Sequence, residues 1–442
     1  MLHKIAPYVI DYSARGIAEG VSRAIRDGTV PPGTKLPPIR HMADQFQCSP
    51  STVLAAWGLL TRAGLIQTDR RRGTVVVEQA QARPGRYRET LIRPSRQGLD
   101  LASGTEDDAL LPSLGSAIGR LRYSPTRLPY LSDPVLPSLR DHLATTWPFP
   151  AEMITVTDGS MDAIDLFVTT HLQHGDRVAV ENPCFPPLID LLTSAGARIV
   201  PVEVDESGPI PVSLATALEV APRAFFVQPR AQNPTGTSMN SERRDELAAL
   251  LGHTDVIVVE NDSINGVTAA AMHSIGTQLS HQTVHVRSFS KSHGPDLRLA
   301  AVGGARHIVE PMVNRRFLGQ SWTSHLLQGL LLDLLTDPAA VTQVQLASAE
   351  YARRREALRH ALHERGVSVG SSSGLNLWLP VLDESATVRD LASKQIWVAP
   401  GSLFALTGAA DPHVRVTTAQ LAEVDSELAD TLAAACLRAT AT

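Results

Sequence analysis

The sequence predicts an α/β protein: a small basic head, then a linker, then a large body with a mostly parallel sheet. Three observations lead there. From about residue 100, short apolar strands alternate with helical patterns, as in α/β sheets. Residues 1–99 hold 15 Lys+Arg against 7 Asp+Glu, so this N-terminal stretch carries +8 while the remainder carries −13. Finally, the chain has only four lysines, and one of them, Lys291, stands among hydroxyls in Ser288-Phe289-Ser290-Lys291-Ser292, seven residues before Arg298.

At 442 residues the chain is too long for one ordinary domain. We divide it into a head (1–78), a linker (79–98) and a body (99–442). No stretch is long and apolar enough to span a bilayer, and the N-terminus lacks a secretory apolar run, so a cytoplasmic protein without membrane partners is expected. Cys48, Cys184 and Cys436 are odd in number and scattered, which argues for reduced thiols over a disulfide frame or a metal site.

In the head, residues 9–27 read as an amphipathic helix with Ile10, Ile17, Val21 and Ile25 along one side. Gly28 and Pro31-Pro32-Gly33 end it, and Leu36 to Phe46 supply a second short helix containing Arg40. A third begins at Ser49, a capping residue, with Pro50 at its first position. Val53, Trp57 and Leu60 face inward on it, leaving Ser51, Thr52 and Ala55 outward at the end where a recognition helix reads bases. Two strands follow, at residues 65–68 and 74–77, around the basic turn Asp69-Arg70-Arg71-Arg72-Gly73. Such a turn suits phosphates or a minor groove. Capping explains Ser49 better than base contact does, and either explains Ser51.

This segment, Ile17 to Val77, resembles the winged helix-turn-helix of the GntR family through Gly33, Leu36-Pro37, Arg40, Ala43, Ser49, Thr52-Val53, Leu60, Gly64-Leu65 and Gly73-Thr74. The resemblance implies DNA contacts from Arg40, Ser51, Thr52, Arg72 and Gly73. Family members often have an arginine early in the recognition helix, where Pro50 and Ser51 stand here; that shifts weight to Arg40, Arg62 and the wing.

Pro84, Gly85, Pro94 and little apolar periodicity mark the linker. In the body, strands are expected at 154–157, 177–181, 198–202, 224–227, 256–260, 283–286 and 300–304. Ligands bind such sheets beyond the strands' C-terminal ends. Gly159-Ser160, Pro183-Cys184-Phe185 and Asn233-Pro234-Thr235-Gly236 all follow strands. Singly, these are a helix cap, a core phenylalanine and a turn. Lys291 adds chemistry: an amine forms a Schiff base and a guanidinium does not. With hydroxyls and Arg298 to hold a phosphate, the run reads as a seat for pyridoxal 5′-phosphate (PLP) or, more blandly, as a surface loop.

Taken in order, these motifs resemble the fold-type I aminotransferases over Asp100 to Leu437, and a winged helix ahead of such a body resembles the MocR subgroup of GntR regulators. The resemblance implies that Lys291 joins the PLP aldehyde. Gly159, Ser160, Ser288, Ser290 and Arg298 would hold its phosphate. Phe185 would stack on the ring, and Asn233 would meet its O3′. Arg415, in Val414-Arg415-Val416, would take the carboxylate of a bound amino compound, unless it is merely an edge-strand arginine.

The pattern breaks where the family places an aspartate against the pyridine nitrogen: Asn261 stands there, with Asp262 one residue on. An amide lacks the charge that keeps that nitrogen protonated. The family's nearby tyrosine is absent, Ser263 and Ile264 standing in its place, and Met161 replaces a glutamine after Gly159-Ser160. The resulting expectation is a homodimeric regulator with no catalytic residues. It binds operator DNA through its head and senses PLP or an amino compound at Lys291. The alternatives are an active aminotransferase with a DNA-binding appendage, and a regulator whose body no longer binds PLP.

Overall fold

The computed structural model describes residues 2–62, 65–69, 73–77, 85, 98–121, 133–370, 372–406 and 411–438. It contains two compact units, one built on Met1–Arg83 and the other carrying nearly all the remaining chain.

In the first unit, helix Ala14–Arg26 starts later than periodicity predicts. Ser13 caps it by accepting the Gly16 N–H, so Ile10 lies ahead of the helix and is 80% exposed, while Ile17, Val21 and Ile25 are buried as expected. The second helix is short, Ile39–Gln45. Leu36 is not part of it, because its N–H donates to Thr74 O and its side chain joins the core. The third helix, Pro50–Arg62, buries Val53, Trp57 and Leu60. Strands β1 (Ile66–Asp69) and β2 (Gly73–Val76) pair antiparallel, with Asp69 opposite Gly73.

The second unit opens with β3 (Leu99–Leu101). Its main sheet contains β4 (Met153–Thr157), β5 (Arg177–Asn182), β6 (Arg198–Asp205), β7 (Gly208–Pro209), β8 (Ala224–Val227), β9 (Ile257–Asp262), β10 (Thr283–Ser288) and β11 (Ala300–Gly304). Their order is β4-β11-β10-β9-β8-β5-β6-β7. The run β10-β9-β8-β5-β6 is parallel; β11 is antiparallel to both its neighbours, which returns β4 to the common direction. The central strands are buried along their whole length, as a sheet covered on both faces requires. The C-terminal ends of β4, β5, β9 and β10 therefore share one edge of this sheet.

A smaller sheet contains β12 (Asn376–Pro380), β13 (Ile396–Pro400) and β14 (His413–Thr417), in the order β12-β14-β13-β3. β14 is thus an interior strand. The edge-strand reading of Arg415 fails on this point, since its side chain is fully buried between neighbours. Among the described residues no helix is long and apolar enough to cross a membrane, and no group of His, Cys, Asp or Glu is arranged to hold a metal.

Candidate cofactor pocket and DNA-facing residues

Gly159 caps helix Ser160–His171 with φ +103, and no side chain caps that end. The helix's first N–H groups are therefore open to an anion. A β-carbon on Gly159 would lie 2.7 Å from Arg298 Nη2, so the glycine is what lets the guanidinium sit against the helix end. Arg298 takes the left-handed conformation (φ 49, ψ 43) and donates to Asp158 O at 3.3 Å. It is exposed, and among the described residues it has no ion-pair partner. A strained arginine beside an uncapped helix end makes a cradle for a doubly charged phosphate.

Ser288 ends β10, and its Oγ accepts the Ser290 N–H at 3.4 Å, so both hydroxyl residues belong to the turn that launches helix Ser290–His293. Lys291 lies on that helix. Its Nζ donates to Gly104 O at 2.7 Å and to Glu106 Oε2 at 2.8 Å. The same loop meets Arg415: a β-carbon on Gly104 would be 3.2 Å from Arg415 Nη2. Arg415 donates to Asn233 Oδ1 at 2.9 Å and to Ala102 O, and lies 4.9 Å over the Phe404 ring. Lys291, Arg415 and Asn233 are thus joined through residues 102–106. Because Asn233 offers its oxygen to Arg415, its amide N–H groups remain to donate elsewhere.

Asn261 is 7% exposed, and its Oδ1 is buried with no hydrogen-bond partner. It lines a small void together with Phe185, Cys184, Gln228 and Glu181. Strand alternation turns Asp262 to the opposite face, where Arg230 grips it at 3.0 and 2.7 Å. An orphaned buried acceptor costs about 1–3 kcal/mol, and a ring nitrogen carrying a proton would satisfy it. The residues present fit PLP: a cradle that only glycine leaves open, a lysine just past the C-terminal end of β10, and an unsatisfied atom in a void that Phe185 also lines.

Sequence reasoning missed Glu181 and Glu106. Glu181 Oε2 accepts the Gln228 N–H at 3.0 Å, while burial pushes the carboxyl up to about 8. Glu181 opens the run Glu181-Asn182-Pro183-Cys184-Phe185 but was given no role there, and Glu106 belongs to no motif; only the fold sets Glu181 beside Asn261 and Glu106 on Lys291.

In the head, Ser49 Oγ accepts the Thr52 N–H at 3.1 Å, which is the capping role. The Ser51 and Thr52 hydroxyls both lie on Ser49 Oγ, at 2.7 and 2.8 Å, so candidate base-readers and cap share one network. Arg40 is exposed on the second helix. Gly73 opens β2 with φ +84, and a β-carbon there would meet Lys35 Cε at 2.8 Å, which places an exposed amine beside the wing that sequence reasoning had passed over. Arg72 and the Arg62 side chain lie outside the described residues.

Comparison with known proteins follows the same division. Residues 96–433 match aminotransferase class I and II, and residues 13–76 match bacterial regulatory proteins of the gntR family. The vitamin B6 salvage pathway transcriptional repressor PtsJ of Salmonella typhimurium is 34% identical over 429 residues, 96% of this chain and 97% of that one. The chain belongs to the GntR regulators with an aminotransferase body. The probable rhizopine catabolism regulatory protein MocR of Rhizobium meliloti is 25% identical, covering 77% of this chain and 75% of its own. Among solved structures, Pyrococcus horikoshii kynurenine aminotransferase in complex with PMP superposes with a TM-score of 0.71 at 21% identity, over 80% of this chain and 95% of that one. LysN, the α-aminoadipate aminotransferase of Thermus thermophilus, gives 0.68 at 23% identity, over 86% and 98%. At these identities the likeness establishes the fold of the GntR regulator's body.

Proposed function

We propose that this regulator binds PLP in its body and couples that binding to operator recognition by its head. One observation carries the reading: Arg298 lies against the uncapped helix end at Gly159, at the same edge of the sheet as Lys291. When bound, PLP supplies an aldehyde for the lysine amine and a ring that withdraws electrons. The chain's own residues do the rest. Gly159, Ser160, Ser288, Ser290 and Arg298 take the phosphate; Phe185 covers the ring face; Asn233 donates to O3′; and Asn261 meets the ring nitrogen as a neutral acceptor. Arg415, held by Asn233 and Ala102, offers its charge to an effector carboxylate.

Asn261 supports sensing over turnover, because an uncharged partner does not hold the ring nitrogen protonated as a carboxylate does. The role of the relative PtsJ, repression in vitamin B6 salvage, supports PLP itself as the signal. A homodimer presenting two heads to paired half-sites, with contacts from Arg40, Ser51, Thr52, Arg62, Arg72 and Gly73, completes the proposal. For PLP to act as a switch it must favour one arrangement of the protein over another.

The test is spectroscopic. PLP added to the purified protein should produce a visible band that is lost in Lys291→Ala, and operator affinity should change with PLP in the wild type alone. A protein that stays colourless would defeat the reading.

A further inference from the structure

The assignments above leave Glu181 and Glu106 without a role, and Glu106 is the one in contact with Lys291. Glu106 is 3% exposed, and its Oε2 lies 2.8 Å from Lys291 Nζ, while the same amine donates to Gly104 O at 2.7 Å. A buried carboxylate is costly unless a hydrogen-bonded cation stays beside it. Among the described residues, Lys291 is the one cation in ion-pair contact with Glu106.

Condensation of Lys291 with an aldehyde must respect that need. The ammonium brings three protons. Two leave with the aldehyde oxygen as water, and nitrogen forms a double bond to the aldehyde carbon. If the third proton stays on nitrogen, charge is conserved and Glu106 keeps its partner. If it leaves, a buried carboxylate is stranded. We propose that Glu106 is the counter-ion of the PLP-bound Lys291 nitrogen, a positioning carboxylate that keeps that nitrogen protonated through neutral pH. The inference rests on the PLP reading above and deepens it: the charge absent at Asn261 is present at the opposite end of the cofactor.

Charged and titratable groups face the pair from several elements. On the Glu106 loop, Asp107 is paired with Arg354 at 2.8 Å, and Arg354 also holds Glu350 at 2.7 Å, a carboxyl pushed down to about 2 by hydrogen bonds from Arg353 and Arg354. On the same helix as Glu350, the Tyr351 hydroxyl accepts the Asp107 N–H, and burial raises it to about 12. From β14, Arg415 donates to Asn233 Oδ1 and Ala102 O. On the lysine's own helix, burial drives His293 down to about 4, so it is neutral. On the strands behind, Asp262 is clamped by Arg230. Beside the ring void, burial raises the Glu181 carboxyl to about 8, so it titrates, like the imine nitrogen, between about pH 6 and 9. Wild type and E106Q share that group, and the difference between their midpoints belongs to Glu106.

The experiment loads full-length wild type, E106Q and E106D with PLP and reads visible absorbance across that range. Borohydride reduction and mass measurement of the Lys291 peptide count the loading of each. The visible band of the wild type should persist through neutral pH. In E106Q its midpoint should fall by about one pH unit or more, and E106D, which keeps the charge, should follow the wild type. Equal midpoints in loaded wild type and E106Q overturn the proposal. Should glutamine unfold the chain, Glu106→Ala with added acetate decides instead: restoration of the band by acetate supports the proposal and its absence overturns it. A wild type that never colours removes the PLP reading, and the proposal with it.

Discussion

Arg230 holds both carboxylate oxygens of Asp262, through Nε at 3.0 Å and Nη2 at 2.7 Å, and Asp262 is fully buried. Removing the guanidinium leaves that charge without compensation. Arg230→Ala should lower stability by about 3 kcal/mol or more. Urea denaturation of loaded and unloaded protein measures the loss, and a change under about 1 kcal/mol would mean that the pair is not what anchors this end of β9.

Asp262 is held by Arg230, and of the two neighbours it is Asn261 that lines the void beside Phe185. Asn261→Asp should restore charge at the ring nitrogen and raise any exchange of amino groups between an amino acid and bound PLP. A gain of about tenfold corresponds to about 1.4 kcal/mol of barrier. Single-turnover absorbance changes report it, and no gain would place the limit on chemistry elsewhere.

Gly159→Ala forces a side chain into φ +103 and against Arg298 Nη2. Strain of about 1–3 kcal/mol is expected, and with the guanidinium displaced PLP affinity should fall about tenfold or more. An absorbance titration reads the affinity and a melting curve reads the strain. An unaltered affinity would remove this helix end from the phosphate site.

Glu181 sets a pH dependence. Its carboxyl is raised from an ordinary 4.5 to about 8 by burial, so the folded protein holds a proton that the unfolded chain releases. Its contribution to stability is complete below the unfolded value and is lost as pH rises through about 8. Glu181→Gln should flatten that decline, which denaturation at stepped pH detects. Parallel curves for the two proteins would argue against a protonated Glu181.

In the head, Arg72→Ala should weaken DNA binding and reduce the salt slope by about one contact, roughly 0.9 in log–log units. Ser49→Ala should instead cost about 1 kcal/mol of stability through the lost cap. Binding isotherms across salt concentrations and melting curves separate the two effects.

Much of this was legible in the sequence, for identifiable reasons. The strands at 224–227 and 300–304 fall where apolar runs between turn residues put them, because buried strands leave a contiguous apolar signature. The motifs Gly159-Ser160, Asn233 to Gly236 and Ser288 to Lys291 are short stretches whose local chemistry survives without tertiary context. Ile10 misled because helical periodicity continues past the true start, while Ser13 and its hydrogen bond to Gly16 decide where the helix begins. Arg415 was open to an edge-strand reading because strand order is a property of long-range pairing. Glu106 carried no local signal, and Glu181, though it heads the run to Phe185, gained a role only from contacts; these lie 185 and 47 residues away in sequence.

Arg415 bonds Ala102, the residue immediately after β3, and β3 runs parallel to β13 as the first element of the body. An anion that drew the guanidinium toward itself would loosen its hold on the Ala102 peptide, and with it the place where β3 joins the small sheet.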